Sequence, residues 1–140
     1  KKPLKSTSLM SFKEIAVGDH SFQEKEKPIR LKDLIENPLI SLGQGSTTYE
    51  FYSKFFLEND LVLSPDTEVE TIDQVLPLIM NGLGIGFLPE LFVRPVIEEG
   101  KVCQIPLKEN IPEREICLVE NHTFPPSIAA EMFKKMLVLK

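Results

Sequence analysis

The run Leu83-Gly84-Ile85-Gly86-Phe87-Leu88, closed by Pro89-Glu90, constrains the fold more than any other segment. A nearly uninterrupted apolar stretch bounded by chain breakers suits a strand buried on both faces, since a half-exposed strand would alternate polar and apolar residues. Both faces must therefore be covered. One cover precedes it directly: Ile72, Val75, Leu76 and Ile79 recur at helical spacing after Thr71, and Asn81-Gly82 offers the C-cap. Pro77, six residues into that pattern, should remove a hydrogen bond and bend the helix.

The same alternation runs along the whole chain. Leu9 to Val17 reads as a strand closed by Gly18-Asp19, and Ser21 to Lys27 as a polar loop. Leu31, Leu34 and Ile35 mark a short helix that Asn37-Pro38 stops, because a residue before proline avoids the helical region. A strand at Leu39 to Leu42 is broken by Gly43-Gln44-Gly45. Ser46 or Thr47 can then cap a helix from about Thr48 to Asn59 that carries Tyr52, Phe55 and Phe56 on one face. Pro65-Asp66 leaves only a brief or edge strand between Val62 and Val69. Leu91 to Ile97 can hold a helix shortened by Pro95, Val102 to Leu107 and Glu115 to Val119 read as strands, and Ser127 to Leu139 is an amphipathic helix. Strands alternating with helices predict an α/β fold with a mostly parallel sheet flanked by helices.

Composition narrows the function. The 140 residues, 42% of them hydrophobic, suffice for one sizeable core, and no apolar run is long enough to span a membrane. With no signal-like run at Lys1-Lys2-Pro3-Leu4, the expected compartment is the cytoplasm. Cys103 and Cys117 sit in apolar runs without a CxxC pair and read as buried, reduced thiols. The net charge is −5 and the basic residues form no stripe, so direct contact with DNA is not expected.

Neither histidine, His20 or His122, has a partner at ligand spacing, and both read as surface residues. The Asn121-His122-Thr123 sequon carries no weight in an unsecreted chain. No GxSxG elbow supports a triad of Ser46, His122 and Asp19, so no catalytic residue, metal or cofactor is expected.

Glu70-Thr71 to Glu90, ETIDQVLPLIMNGLGIGFLPE, resembles the signature of LysR-type sensor domains, in which a helix leads into a Gly-Leu-Gly-Ile strand followed by Pro-Glu. The family's order continues in Leu31-Lys32-Asp33-Leu34, Pro38-Leu39-Ile40, Gly45-Ser46-Thr47, Gly100-Lys101-Val102, Ile105-Pro106-Leu107, Arg114 to Val119 and Ser127-Ile128-Ala129-Ala130. The resemblance runs from about Leu9 to the C-terminus. It implies a type 2 periplasmic-binding-protein-like lobe. Residues 1–120 would form the second lobe of an effector-binding domain, with crossing strands near 9–17 and 115–119, and residues 121–140 would give a helix of the first lobe. Most of the first lobe and the N-terminal DNA-binding domain would be absent. The implied function is sensing of a small effector, expected to be anionic, in an interlobe cleft. The implied partners are a second copy, as dimer or tetramer, and DNA only through the missing domain. A solute-binding module of a transport system is the alternative, and an enzyme on the same scaffold a third reading.

The turn Gly43 to Thr48 is the foremost ligand candidate, with Gly45, Ser46 and Thr47 at a helix N-terminus whose dipole and amides attract an anion. Plain capping would use the same residue types. The turn lacks the lysine of a phosphate loop and the third glycine of a dinucleotide fingerprint. Gly86, Phe87 and Leu88 lie at the carboxyl end of the buried strand, where open α/β sheets expose a crevice; Thr71 could face the same crevice. The aromatics from Tyr49 to Phe56 read as core, with part of their helix at a subunit interface if the family's dimer applies. Asp66, Glu68 and Glu70 read as a solvated strand face.

Overall fold

The computed structural model describes residues 4–22, 27–121, 123 and 125–138. The strands are β1 (Leu4–Phe12), β2 (Glu14–Asp19), β3 (Ile40–Leu42), β4 (Thr67–Val69), β5 (Gly86–Pro89), β6 (Val102–Ile105) and β7 (Arg114–Asn121). The helices are α1 (Leu31–Leu34), α2 (Thr47–Glu58), α3 (Val75–Met80), α4 (Glu90–Glu98) and α5 (Ile128–Val138). The chain divides into two compact units, one of Lys13–Pro112 and one formed by the segments up to Phe12 and from Glu113 onward.

In the larger unit β2 lies between β5 and β6 and is antiparallel to both. β3 pairs in parallel with β4, and a parallel bridge between Leu39 and Ile85 sets β3 beside the segment leading into β5. Leu39 and Ile85 thus enter one apolar cluster and Ile40 the other. Successive residues face opposite sides of a strand, so the sheet separates two apolar clusters. Ala16, Phe87 and Ile105 join Leu31, Leu34, Tyr52, Phe55 and Phe56 on the face covered by α1 and α2. Val17, Leu88 and Val102 join Val75, Ile79 and Val93 on the face covered by α3 and α4.

The α/β class and the helices on both faces are as expected. The mostly parallel sheet holds for strand direction, since β3, β4, β5 and β6 run alike, but needs correction for pairing: β2 runs the other way, so both of its ladders are antiparallel. Burial on both faces gives β2 and β5 the same apolar text whichever way the neighbour runs. Leu9 to Val17 is likewise two strands rather than one, split at Lys13.

Prolines account for two further corrections. The helix expected from Thr71 is a 3-10 turn, Ile72–Gln74, followed by α3, in which Pro77 occupies the third position. First-turn amides have no partner within a helix, so the proline breaks no bond there. α4 runs through Pro95 for nine residues, because the carbonyl that loses its donor belongs to Leu91 in the exposed first turn. Gly82, at φ +76, ends α3 as foreseen: its amide bonds the Ile79 carbonyl and the next amide bonds Leu78.

The smaller unit holds β1 paired antiparallel with β7, with a bulge between Ser8 and Met10, and the helix α5. β1 and β7 therefore group with α5. Within the unit Lys134 pairs with Glu120 at 3.1 Å. The cysteines correct the reading of buried thiols: Cys103 is half-buried and Cys117 exposed, both free. The outward half of a short edge ladder keeps apolar text without burial. His20 is exposed, whereas His122, the middle residue of the sequon, and Leu139 lie outside the described residues.

Two outcomes follow from this packing. A Cβ on Gly84 would lie 2.6 Å from the Pro38 carbonyl oxygen, a backbone atom, whereas one on Gly43 would meet only the tip of the Glu68 side chain at 2.9 Å. In urea melts Gly84→Ala should lose about 1–3 kcal/mol, while Gly43→Ala should stay within about 0.5 kcal/mol of wild type. Equal losses would contradict the geometry. Burial first, and the Asp19 charge second, push the Cys103 thiol above its usual range. Iodoacetamide at pH 8 should therefore label Cys117 before Cys103, as read by peptide mass spectrometry.

Candidate functional site

Register builds the candidate site. β3 and β4 pair Leu42 with Val69 at their carboxyl ends, so the residues just beyond, Gly43-Gln44 and Glu70, emerge side by side. Gly45 takes φ +96, a left-handed conformation open to glycine at little cost, and turns the chain into α2. Ser46 then caps the helix: its Oγ accepts the Tyr49 amide at 2.9 Å and donates to the Gly43 carbonyl at 3.1 Å. Thr47 is the first helical residue and is exposed.

Gly43, Gln44, Ser46, Glu68, Val69 and Glu70 line an open cavity of about 390 Å³. Its electrostatics are two-sided. The start of a twelve-residue helix carries partial positive charge and favours acceptors, while Glu68 and Glu70 favour donors and cations. The sequence reading made these glutamates a solvated strand face. They are exposed, but the parallel β3–β4 pairing brings them to the turn. Asp66 is engaged too, its Oδ2 accepting the Leu39 amide at 2.9 Å. The available signal was the family-like order itself, since a strand following α2 in such a fold pairs in parallel with the strand preceding it.

The remaining expected residues separate. Phe87 faces α2, stacking on Tyr52 at 4.7 Å between ring centroids, and with Ser41, Thr48 and Tyr52 it borders a gap of about 10 Å³, the size of one water. Gly86 and Leu88 are core: a Cβ on Gly86 would lie 2.8 Å from Val75, and Leu88 is fully buried. Thr71 is exposed at the start of the 3-10 turn, where Gln74 Oε1 accepts the amides of Glu70 and Thr71 at 2.9 and 3.1 Å. It borders neither cavity. Tyr52, Phe55 and Phe56 are buried as expected for core aromatics.

One buried group was missed. Glu14 is the only charged side chain buried among the described residues, at 5% exposure, and the Tyr52 hydroxyl donates a hydrogen bond to its Oε1. A lone carboxylate at a strand start has no sequence pattern that would flag it.

Comparison with known proteins agrees with this fold. The LysR substrate binding domain family matches residues 4–139, and the chain belongs to that family. Over 100 residues it is 29% identical to an uncharacterized HTH-type transcriptional regulator, YwqM of Bacillus subtilis, covering 71% of this chain and 33% of that protein. Over 64 residues it is 36% identical to the HTH-type transcriptional activator CmpR of Synechocystis, covering 46% of this chain and 21% of that one. The chain thus spans a third or less of the curated relatives it matches. Among solved structures it resembles the effector binding domain of QuiR in complex with shikimate, at a TM-score of 0.82 and 18% identity over 98% of this chain and 65% of that one. It also resembles the CcmR regulatory domain of Synechocystis in complex with 2-PG, at a TM-score of 0.85 and 14% identity over 97% of this chain and 66% of that one. The fold is the type 2 periplasmic-binding-protein-like α/β fold of LysR regulatory domains.

Replacement of Ser46 separates capping from other roles of the turn. Ser46→Ala should cost about 1 kcal/mol and Ser46→Asp should recover it, measured by thermal or urea unfolding. A loss that Ser46→Asp does not recover would mean that the hydroxyl serves something besides the Tyr49 amide.

Proposed function

We propose that this chain is the effector-sensing part of a LysR-type DNA-binding transcription regulator, and that a small polar metabolite binds at the turn Gly43 to Thr48. The observation that carries the site is the cavity of about 390 Å³ formed where α2 begins beside Glu68 and Glu70. Its size suits a small metabolite. The two-sided electrostatics refine the anionic effector expected from sequence: an acceptor or anionic group would meet the α2 turn, and hydroxyl or ammonium donors would meet the glutamates. Ligand binding without turnover is the reading, since the curated relatives are regulators. The same relatives support regulation over solute transport.

The architecture of the whole protein belongs to the same proposal. The paired strands β1 and β7 would be the crossing strands, and α5 would complete a first lobe contributed mainly by other residues of the protein. Support comes from the apolar side chains the smaller unit leaves exposed, among them Val119, Ile128, Met132, Phe133 and Met136. DNA would be contacted by an N-terminal domain, and the protein would act as a dimer or tetramer in the cytoplasm. Among the described residues no helix is long and apolar enough to cross a membrane.

A thermal-shift screen of the full-length protein tests the site, using small carboxylates, hydroxy acids such as shikimate, phosphorylated acids, amino acids and polyols. A binder should raise Tm with concentration. Ser46→Ala and Glu70→Gln should each weaken it about tenfold, the loss of one charge-assisted hydrogen bond. A binder whose affinity neither variant alters would place its site away from this turn.

A further inference from the structure

We propose that the hydrogen bond between Tyr52 and the buried Glu14 is the contact through which the state of the α2 turn reaches the chain crossing at Phe12–Lys13. The inference rests on the proposed ligand turn for its purpose, but the contact itself can be tested without any ligand. Glu14 is the first residue of β2, two positions past the point where the chain leaves one compact unit for the other. Its register partner is Pro89, the N-cap of α4, and the preceding Lys13 carbonyl accepts the Glu90 amide at 2.8 Å. The start of β2 is therefore held on one side by α4 and on the other by Tyr52 of α2.

Burial makes this arrangement costly unless it is satisfied. A carboxyl group removed from water destabilises the fold unless it finds hydrogen-bond partners. The hydroxyl of Tyr52 partners the buried carboxyl, and the Tyr52 ring is itself fixed by stacking on Phe87 and by an edge contact with Phe51 at 5.0 Å. Tyr52 lies five residues after Thr47, about 7.5 Å along a rigid helix from the turn. Any displacement of the helix start is thus delivered to the hydroxyl nearly undiminished. An O–H···O bond weakens within a few tenths of an ångström and tens of degrees, so a small shift of α2 changes how firmly Glu14, and with it Lys13, is held. Glu14 is a positioning residue on this view: it acts through Tyr52 and does not border the cavity.

Hydrogen exchange by mass spectrometry on the full-length protein tests the coupling. Tyr52→Phe keeps the ring and its stacking and removes only the hydroxyl. Amide exchange in peptides spanning residues 10–16 should rise about tenfold, while peptides from α3 and β6 keep wild-type rates. Ser46→Ala should raise exchange in residues 10–16 in wild type and add nothing in the Tyr52→Phe background. Glu14→Gln, which keeps an acceptor oxygen in place of the carboxyl, should show a smaller rise at the same peptide. Unchanged exchange at residues 10–16, a uniform rise across the unit, or strictly additive effects of Ser46→Ala and Tyr52→Phe would each overturn the proposal. If Tyr52→Phe does not fold, the same readings with Glu14→Gln decide it. These outcomes stand apart from the ligand screen, which can fail while the coupling holds.

Discussion

Everything in the larger unit depends on β2 being buried on both faces while running against its neighbours. Ile15 and Val17 enter one cluster and Ala16 the other, so this short strand is the shared wall of two cores. The helices that cover those cores are consequently placed by it: α2 packs Tyr52, Phe55 and Phe56 against one side, and α3 and α4 pack Val75, Ile79 and Val93 against the other. With the base of α2 fixed in this way, its N-terminus has one place to emerge. That place is beside the ends of β3 and β4, where the cavity opens.

The elements were legible because burial writes itself into residue type. Within the run Leu83 to Leu88 the two-sided burial holds for Ile85 to Leu88, while Leu83 is exposed and the strand begins at Gly86; Tyr52, Phe55 and Phe56 had to be the inner face of a helix, and the Gly82 cap took the geometry its residue type allows. Direction was not legible, because apolar text is the same for a parallel and an antiparallel neighbour; β2 was misread for that reason. Pro77 and Pro95 misled through position, since proline disrupts a helix only where an amide donor was needed. Of the site, the turn at Gly45, Ser46 and Thr47 was readable from its own chemistry. Glu68 and Glu70 were not, because their relevance comes from which strand lies beside β4. Thr71, Gly86 and Leu88 were nominated by their place at a strand or helix end, and the structure puts none of them at either cavity.

The opposed charges at the turn have a consequence for selectivity. A helix N-terminus alone would take any small anion, and a pair of carboxylates alone would take any cation. Lining one cavity, they would, at the proposed site, penalise both simple classes: a bare anion favoured by the start of α2 would be opposed by Glu68 and Glu70. A ligand with acceptor and donor groups a few ångströms apart escapes that penalty, so discrimination arises from unfavourable pairings as much as from contacts made.

The two units differ in what holds them. Every buried hydrophobic side chain among the described residues lies between Ile15 and Ile105, inside the larger unit. The smaller unit has a two-stranded ladder and one amphipathic helix, a combination too small to stand alone in water. Its apolar residues, Ile128 at 80% exposure and Met136 at 64%, are spaced along α5 as a core face without a core. Backbone pairing between β1 and β7 can align such residues but cannot dehydrate them. The larger unit therefore carries the fold's own stability, and the smaller one has a defined surface whose burial requires atoms beyond its own.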